Sequence, residues 1–339
     1  MSDALDGSRR NFDSVPRFAV VGVGHFGRHH ARILARLPGA RLVTVVDVDP
    51  DRAAAVATET GTVPETDVTV LDGRVDAVTV AVPTELHHAV ALPLLERGIS
   101  VLVEKPMARS VAEADALIAA AEASGATLAV GHTERYNPAV VAALPLIREP
   151  RFIEVHRIGA FPARSLDVDV VFDVMIHDLD IILTAVAHDV ETIEAVGVPV
   201  LTDRVDIANA RLRFTSGCIA NITASRISRD RVRKLRFFQR DAYISVDCAD
   251  QEVEGWRVAR TPGSAPAITG GKLDVPRGEP LELEIADFVR VITVGGPPRV
   301  SGADGRRALA LAQRVADAMG EGDGALRRQE AGGRRQEDE

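Results

Sequence analysis

Three short stretches of the chain hold residue types at spacings that could do chemistry. The first is Gly22-Val23-Gly24-His25-Phe26-Gly27, with an acidic residue, Asp47, twenty positions after its third glycine. Glycine at the first place permits a tight turn, at the second lets backbone approach a diphosphate, and at the third lets a helix pack closely on a strand. A diphosphate held there meets the positive end of the helix dipole. Asp47 is placed to accept hydrogen bonds from an adenosine ribose and to repel a 2′-phosphate, which predicts NAD rather than NADP. A glycine turn without a ligand is the plainer reading of such residues. The strand before them, the helix after them and the acid beyond argue against it.

The second stretch is Glu104-Lys105-Pro106, directly after the apolar run 101–103. Ligands of open parallel sheets bind beyond the carboxyl ends of the strands, so Lys105 stands where it can reach a cofactor crevice, and Glu104 could pair with it or touch the nicotinamide ribose. Only three of the 40 basic residues are lysines: Lys105, Lys234 and Lys272. An amine can shed its proton where a guanidinium cannot, so a lysine in an arginine-rich chain invites a chemical role. A surface ion pair after a strand leaves the same trace. The third stretch is Asp173-Val174-Met175-Ile176-His177-Asp178-Leu179-Asp180, whose positions 173, 177 and 180 share one helix face. A carboxylate near an imidazole suits acid–base work. The same face could instead hold a metal, or be a solvent-facing His–Asp pair.

The elements that must position these stretches follow from hydrophobic periodicity. Short apolar runs at 18–21, 42–46, 75–82, 100–103 and 127–130 alternate with helical stretches at 27–37, 84–97 and 111–124. Such runs, separated by helices, predict parallel strands covered on both faces: an α/β, doubly wound Rossmann domain over 16–134. Beyond Asn137 the strands lengthen, at 151–161, 191–201, 205–214, 218–227, 234–239, 242–246 and 253–258. Ala208, Ala210, Leu212 and Phe214 alternate with Asn209, Arg211 and Arg213, the mark of a half-buried strand, and Ser216-Gly217 supplies a hairpin turn. The expectation is a C-terminal α+β domain over 135–320 with a large open antiparallel sheet and helices at 281–292 and 302–319. Tails at 1–15 and 321–339 read as disordered. Phe237 and Phe238 are neighbours on one strand and cannot both face one core, so the uncovered sheet face predicts a homodimer or homotetramer.

Composition removes whole classes of function. A chain of 339 residues with 46% hydrophobic content has material for about two packed domains. A net charge of -9 argues against nucleic acid. No run approaches the ~20 apolar residues of a membrane helix. The polar opening and the two cysteines, Cys218 and Cys248, which form no CxxC motif, fit a cytoplasmic protein.

The three stretches, in this order on this architecture, resemble the glucose–fructose oxidoreductase and inositol dehydrogenase family, Gfo/Idh/MocA. His30, His87 in Pro83-Thr84-Glu85-Leu86-His87, and Arg135-Tyr136-Asn137-Pro138 add to the resemblance, which spans 17–319. It implies an NAD-dependent oxidoreductase acting on CH–OH groups, with Lys105, Asp173 and His177 catalytic and no metal. His177 would accept the hydroxyl proton while Lys105 polarises the oxygen. Contacts to NAD are expected from Gly22, Gly24, His25, Phe26, Gly27, Asp47, Pro83, Thr84, His87, Glu104 and Lys105. Contacts to substrate are expected from Arg135, Tyr136, Asn137, Arg164, Asp173 and His177. Stretches 131–138, 174–180 and 221–226 are most similar to members that oxidise the 3-hydroxyl of UDP-N-acetylglucosamine. A free sugar or inositol is the alternative substrate, and a non-catalytic sensor of NAD or sugar the alternative function. A nucleotide sugar calls for cations, and Arg157, Arg164 and the group Arg226, Arg229, Arg231, Arg233, Lys234 and Arg236 are candidates. A solvated or subunit-facing charge cluster accounts for the last group equally well.

Overall fold

The computed structural model describes residues 15–160, 168–260 and 265–333, with side chains described to residue 320. It divides into two compact units. One takes the chain up to Gly131 together with Leu281–Ala303; the other takes His132–Pro280 and the chain from Asp304.

The first unit alternates strand and helix: β1 (Arg17–Val21), α1 (His25–Arg36), β2 (Arg41–Val46), α2 (Pro50–Thr60), β3 (Val63–Glu65), β4 (Ala77–Val80), α3 (Thr84–Glu96), β5 (Ser100–Glu104), α4 (Val111–Ser124) and β6 (Leu128–Gly131). The strands lie in the order β3-β2-β1-β4-β5-β6, all parallel. Phe18, Ala19, Val20, Ala77, Val78, Val101 and Val103 are fully buried, as strands covered on both faces must be. The order reverses between β1 and β4, which opens a crevice at the carboxyl ends of the strands. Gly22, Asp47, Val82 and Lys105 all follow those ends. The helix α2 and the short strand β3 had no counterpart in the sequence reading. Asp49 starts α2 by accepting from the backbone N–H groups of Asp51 and Arg52, and Gly61 ends it at φ 68°.

A helix far along the chain completes this unit. Sequence periodicity placed 281–292 with the second domain, but α7 (Pro280–Val294) joins the first. Its Ile285, Phe288 and Val289 enter the core of Phe18, Val20 and Leu34, and the Phe18 and Phe288 rings meet edge-on at 6.1 Å. The reason is the sheet itself, which leaves apolar surface on both faces and needs a helix on each.

The second unit contains α5 (Pro138–Ala143), β7 (Phe152–Ile158), α6 (Ile176–Ala185), β8 (Val190–Val198), β9 (Ile207–Phe214), β10 (Ile219–Ser225), β11 (Val232–Phe238), β12 (Ala242–Asp247), β13 (Glu252–Ala259), β14 (Ala267–Lys272) and α8 (Gly302–Gly333). Its sheet runs β14-β13-β12-β11-β7-β10-β9-β8. Neighbours are antiparallel except β7 and β10, which run parallel. The chain between them passes through α6, β8 and β9, the long crossover that a parallel pair requires. Leu179 and Ile182 of α6 and Leu311 and Val315 of α8 bury one sheet face with Ala208, Ala210, Leu212, Phe214 and Phe237. Phe238 takes the other face, where its ring lies 5.5 Å from Phe152 and 5.0 Å from Tyr243. The helix α8 continues past Gly320, where the sequence reading ended it and began a disordered tail. Alanine, leucine, arginine, glutamine and glutamate in 325–331 favour helix and work against the glycines at 320, 322 and 324. Residues 1–14 and 334–339 of the expected tails lie outside the described residues. Among the described residues no helix is long and apolar enough to cross a membrane.

Candidate active site

At the glycine turn the fold has no room for side chains. Gly22 has φ 81°, and a β-carbon there would stand 2.7 Å from Val82 Cγ1. One on Gly27 would stand 1.8 Å from the carbonyl oxygen of Gly22, so α1 can approach β1 only with glycine at both places. Gly24 is different, because a β-carbon there would meet nothing within 4 Å. It is the open position of the turn, flanked by the exposed His25 and Phe26. Asp47 is 6% exposed. Its Oδ2 accepts from the Val23 N–H at 2.8 Å, and its Oδ1 accepts from the Asp49 N–H at 3.0 Å and from Arg52 Nη1 at 3.1 Å. The carboxylate therefore stitches the end of β2 to the glycine turn.

Lys105 is half-buried at the end of β5, and the residues around it brace its backbone. Glu104 turns inward: its Oε1 lies 3.1 Å from His30 Nε2, and its Oε2 accepts from the Lys105 N–H at 3.2 Å. A β-carbon on Gly131 would stand 3.1 Å from that carboxyl group. Burial opposes the Glu104 charge, but the His30 hydrogen bond and the charges of His30, Lys105 and His87 hold its pKa below the ordinary carboxylate value. His87 is buried as well, with Nδ1 2.8 Å from the Pro106 carbonyl oxygen and Nε2 2.9 Å from that of Val82. Its ring joins the lysine turn to the stretch just after β4. Desolvation lowers its pKa. Of the other expected contacts, Pro83 is exposed and Thr84 half-buried at the start of α3.

The second unit carries Asp173 and His177, the expected acid–base pair. Asp173 lies in a π-helical turn, Val171–Met175, which runs directly into α6. Such turns are rare and cluster at functional sites. Asp173 and His177 are both half-buried, and the His132 ring meets the His177 ring edge-on at 5.8 Å. The two acids after His177 point inward instead. Asp178 is fully buried against Arg157, with Nε–Oδ2 and Nη2–Oδ1 both 2.7 Å. Asp180, 2% exposed, accepts from Arg135 Nη1 at 3.2 and 3.4 Å.

Several expected substrate contacts have other work. Arg135 is committed to Asp180 and Thr184. Tyr136 is 4% exposed, and Asn137, 2% exposed, caps α5 and donates to the Cys248 carbonyl at 2.9 Å. The basic group is also largely neutralised: Arg157 and Arg233 by Glu134, Arg226 by Asp206, Lys234 by Asp247 and Arg236 by Glu154. Among the described residues Arg229 and Arg231, both exposed, make no ion pair. Arg164 lies outside the described residues. Sequence reasoning missed Glu134 and Asp206. Asp206 accepts from the N–H groups of Val200, Leu201 and Thr202, and its partner Arg226 donates to the Val168 carbonyl just before the π turn. Nothing in the sequence marks either acid, since their arginine partners lie 20 or more residues away.

An open glycine between two tight ones, a carboxylate at the end of β2 and a lysine at the end of β5 fit the dinucleotide-binding edge of a Rossmann sheet. A family model described as an oxidoreductase family with NAD-binding Rossmann fold, Gfo/Idh/MocA, matches residues 16–132. UDP-N-acetylglucosamine 3-dehydrogenase of Acidithiobacillus ferrooxidans is 38% identical over 307 residues, 88% of this chain and 96% of that protein. The chain belongs to the Gfo/Idh/MocA family. A solved structure of the Acidithiobacillus ferrooxidans enzyme matches with a TM-score of 0.83 at 37% identity, covering 89% of this chain and 97% of that one. Inositol 2-dehydrogenase of Acidothermus cellulolyticus is 30% identical over 54% of this chain and 57% of its own. As a Gfo/Idh/MocA member the protein is an NAD-dependent oxidoreductase acting on CH–OH groups.

Two outcomes follow from the site. Wild-type protein binds NADH more tightly than NADPH in a fluorescence titration, and Asp47→Ala narrows or reverses the ratio; tighter NADPH binding by the wild type contradicts the placement of Asp47. Burial pushes the Asp180 carboxyl from 3.8 up to about 7, against the pull of Arg135. The folded state thus holds this proton more tightly than the unfolded chain. The resulting stability is complete below pH 3.8 and is lost as the pH rises through about 7. Between those limits Asp180→Asn should lose less melting temperature than wild type as pH rises; parallel profiles contradict this.

Proposed function

We propose that the protein oxidises the 3-hydroxyl of UDP-N-acetylglucosamine to the 3-oxo sugar, with NAD as oxidant. The observation that carries this reading is the reach of the similarity. It runs through both units at 38% identity over 88% of the chain, whereas the Acidothermus cellulolyticus inositol dehydrogenase matches 54%.

In the proposed reaction His177 accepts the hydroxyl proton, and Asp173, four residues before it, stabilises the imidazolium that forms. Lys105 holds the hydroxyl oxygen and offsets the negative charge that grows on it as the carbonyl forms. A compact ammonium suits that place better than a planar guanidinium. Bound NAD supplies the hydride acceptor. Proton and hydride leave the same alcohol for different acceptors, so both must be aligned at once. The diphosphate of the substrate falls to Arg229 and Arg231 on the β10–β11 connection, which make no ion pair among the described residues, and to Arg164, nine residues before Asp173 in sequence. That connection is tied to the end of β7 by the Gly159 N–H to the Ser225 carbonyl, 2.9 Å, and the Ser228 N–H to the Gly159 carbonyl, 3.0 Å.

NADH production screened across UDP-sugars, inositols and free hexoses tests the reading. UDP-N-acetylglucosamine is the expected substrate; efficient oxidation of an inositol or hexose with none of the UDP-sugar overturns it. Lys105→Ala and His177→Asn should each lower turnover by ~10²-fold or more while NADH binding stays near normal. A charge-assisted hydrogen bond to phosphate is worth about 1.5–3 kcal/mol, so Arg164→Ala should raise KM for the UDP-sugar roughly 10- to 150-fold.

A further inference from the structure

We propose that Arg157 is a positioning residue for His177, acting through Asp178 and through the turn that carries Glu134. The inference rests on His177 being the proton acceptor of the proposed reaction. Arg157 stands on β7 between β10 and β11, opposite Ala224 and Arg233. Its guanidinium has two tasks. One edge grips Asp178, the residue next to His177, through two bonds of 2.7 Å. The remaining nitrogen, Nη1, donates to Glu134 Oε1 at 2.8 Å, which also receives Arg233 Nη1 at 3.3 Å. Burial opposes the Glu134 charge, yet Arg157 and Arg233 hold its pKa below the ordinary carboxylate value.

The contacts on the start of α6 come in matched order from one short stretch. His132 lies against His177, Glu134 reaches Asp178 through Arg157, and Arg135 holds Asp180. The helix they grip is entered through the π turn Val171–Met175, where the Ile176 N–H bonds the Val171 carbonyl five residues back rather than four. The side-chain anchors add to this irregular backbone bonding. Stability alone does not account for the choice of residues. Desolvating a carboxylate and a guanidinium costs so much that apolar residues in the same volume are often as stable or more so. A bidentate pair does something apolar contact does not: it fixes direction as well as distance. With Asp178 held, the adjoining His177 ring keeps one placement relative to the alcohol it deprotonates. A misplacement of about 1 Å at such a site costs on the order of 10²-fold in rate.

The decisive variant is Arg157→Lys, which keeps the charge and loses the fork. With UDP-N-acetylglucosamine and NAD as probes, kcat should fall roughly 10- to 100-fold, with KM and NADH affinity within about threefold. The acid limb of the kcat/KM profile, which His177→Asn removes, should move. A second variant, Arg157→Met/Asp178→Leu/Glu134→Gln, replaces the network by neutral groups. It should melt close to wild type and show at least the same loss of kcat. Wild-type kcat and an unmoved acid limb in Arg157→Lys overturn the inference, even if the melting temperature drops. Failure of the underlying reading looks different: His177→Asn itself then retains the wild-type rate, and the inference falls with it.

Discussion

A carboxylate removed from water must find donors, and in this protein the buried carboxylates find them in backbone N–H groups of nearby turns and in arginine and histidine side chains. Asp47 takes an N–H of the glycine turn. Glu104 takes the N–H of Lys105 and faces His30. Asp178 and Glu134 share Arg157, Asp180 takes Arg135, and Asp206 takes three successive N–H groups together with Arg226. An unpaired charge in any of these places would cost several kcal/mol. The demand for partners therefore fixes loops that hydrophobic packing alone would leave free to shift.

Arginine and lysine divide the cationic work accordingly. The buried pairs Arg157–Asp178, Arg135–Asp180 and Arg226–Asp206 use arginine, whose charge survives burial and whose fork meets Asp178 at two points. Lys234 and Lys272 form ion pairs with Asp247 and Glu252 along strands of the second sheet. Lys105 alone of the three lysines follows a buried strand of the parallel sheet, where a titratable amine has a use. Glu104 accepts from its backbone N–H, and His87 holds the carbonyl of the next residue, Pro106.

What the sequence disclosed is what depends on near neighbours. The glycine turn, Asp47 and the strand-end lysine were legible because each is defined by its own strand and the residues just after it. The alternation in β9 was legible because a half-buried strand writes it directly. Contacts between distant segments left no such trace. Nothing near residue 285 says that its helix serves the first unit, and nothing near Arg157 says that it belongs to Asp178 rather than to a phosphate. Arg135, Tyr136 and Asn137 were read as substrate contacts from the motif that contains them. Their burial shows that the motif also encodes the docking of a turn onto α6. The two carbonyls that the His87 ring meets were equally invisible in sequence, since a motif records that a residue matters and not which way its ring faces.

The proposed reaction requires hydride to pass directly from the sugar carbon that bears the oxidised hydroxyl to NAD. The most direct test incubates the protein with NAD and UDP-N-acetylglucosamine carrying deuterium at C3, and reads the mass of the NADH formed. The account predicts one deuterium per NADH, with the sugar product lacking it. Deuterium-free NADH, with the label retained in an oxidised sugar, would place the chemistry at another carbon and contradict the account.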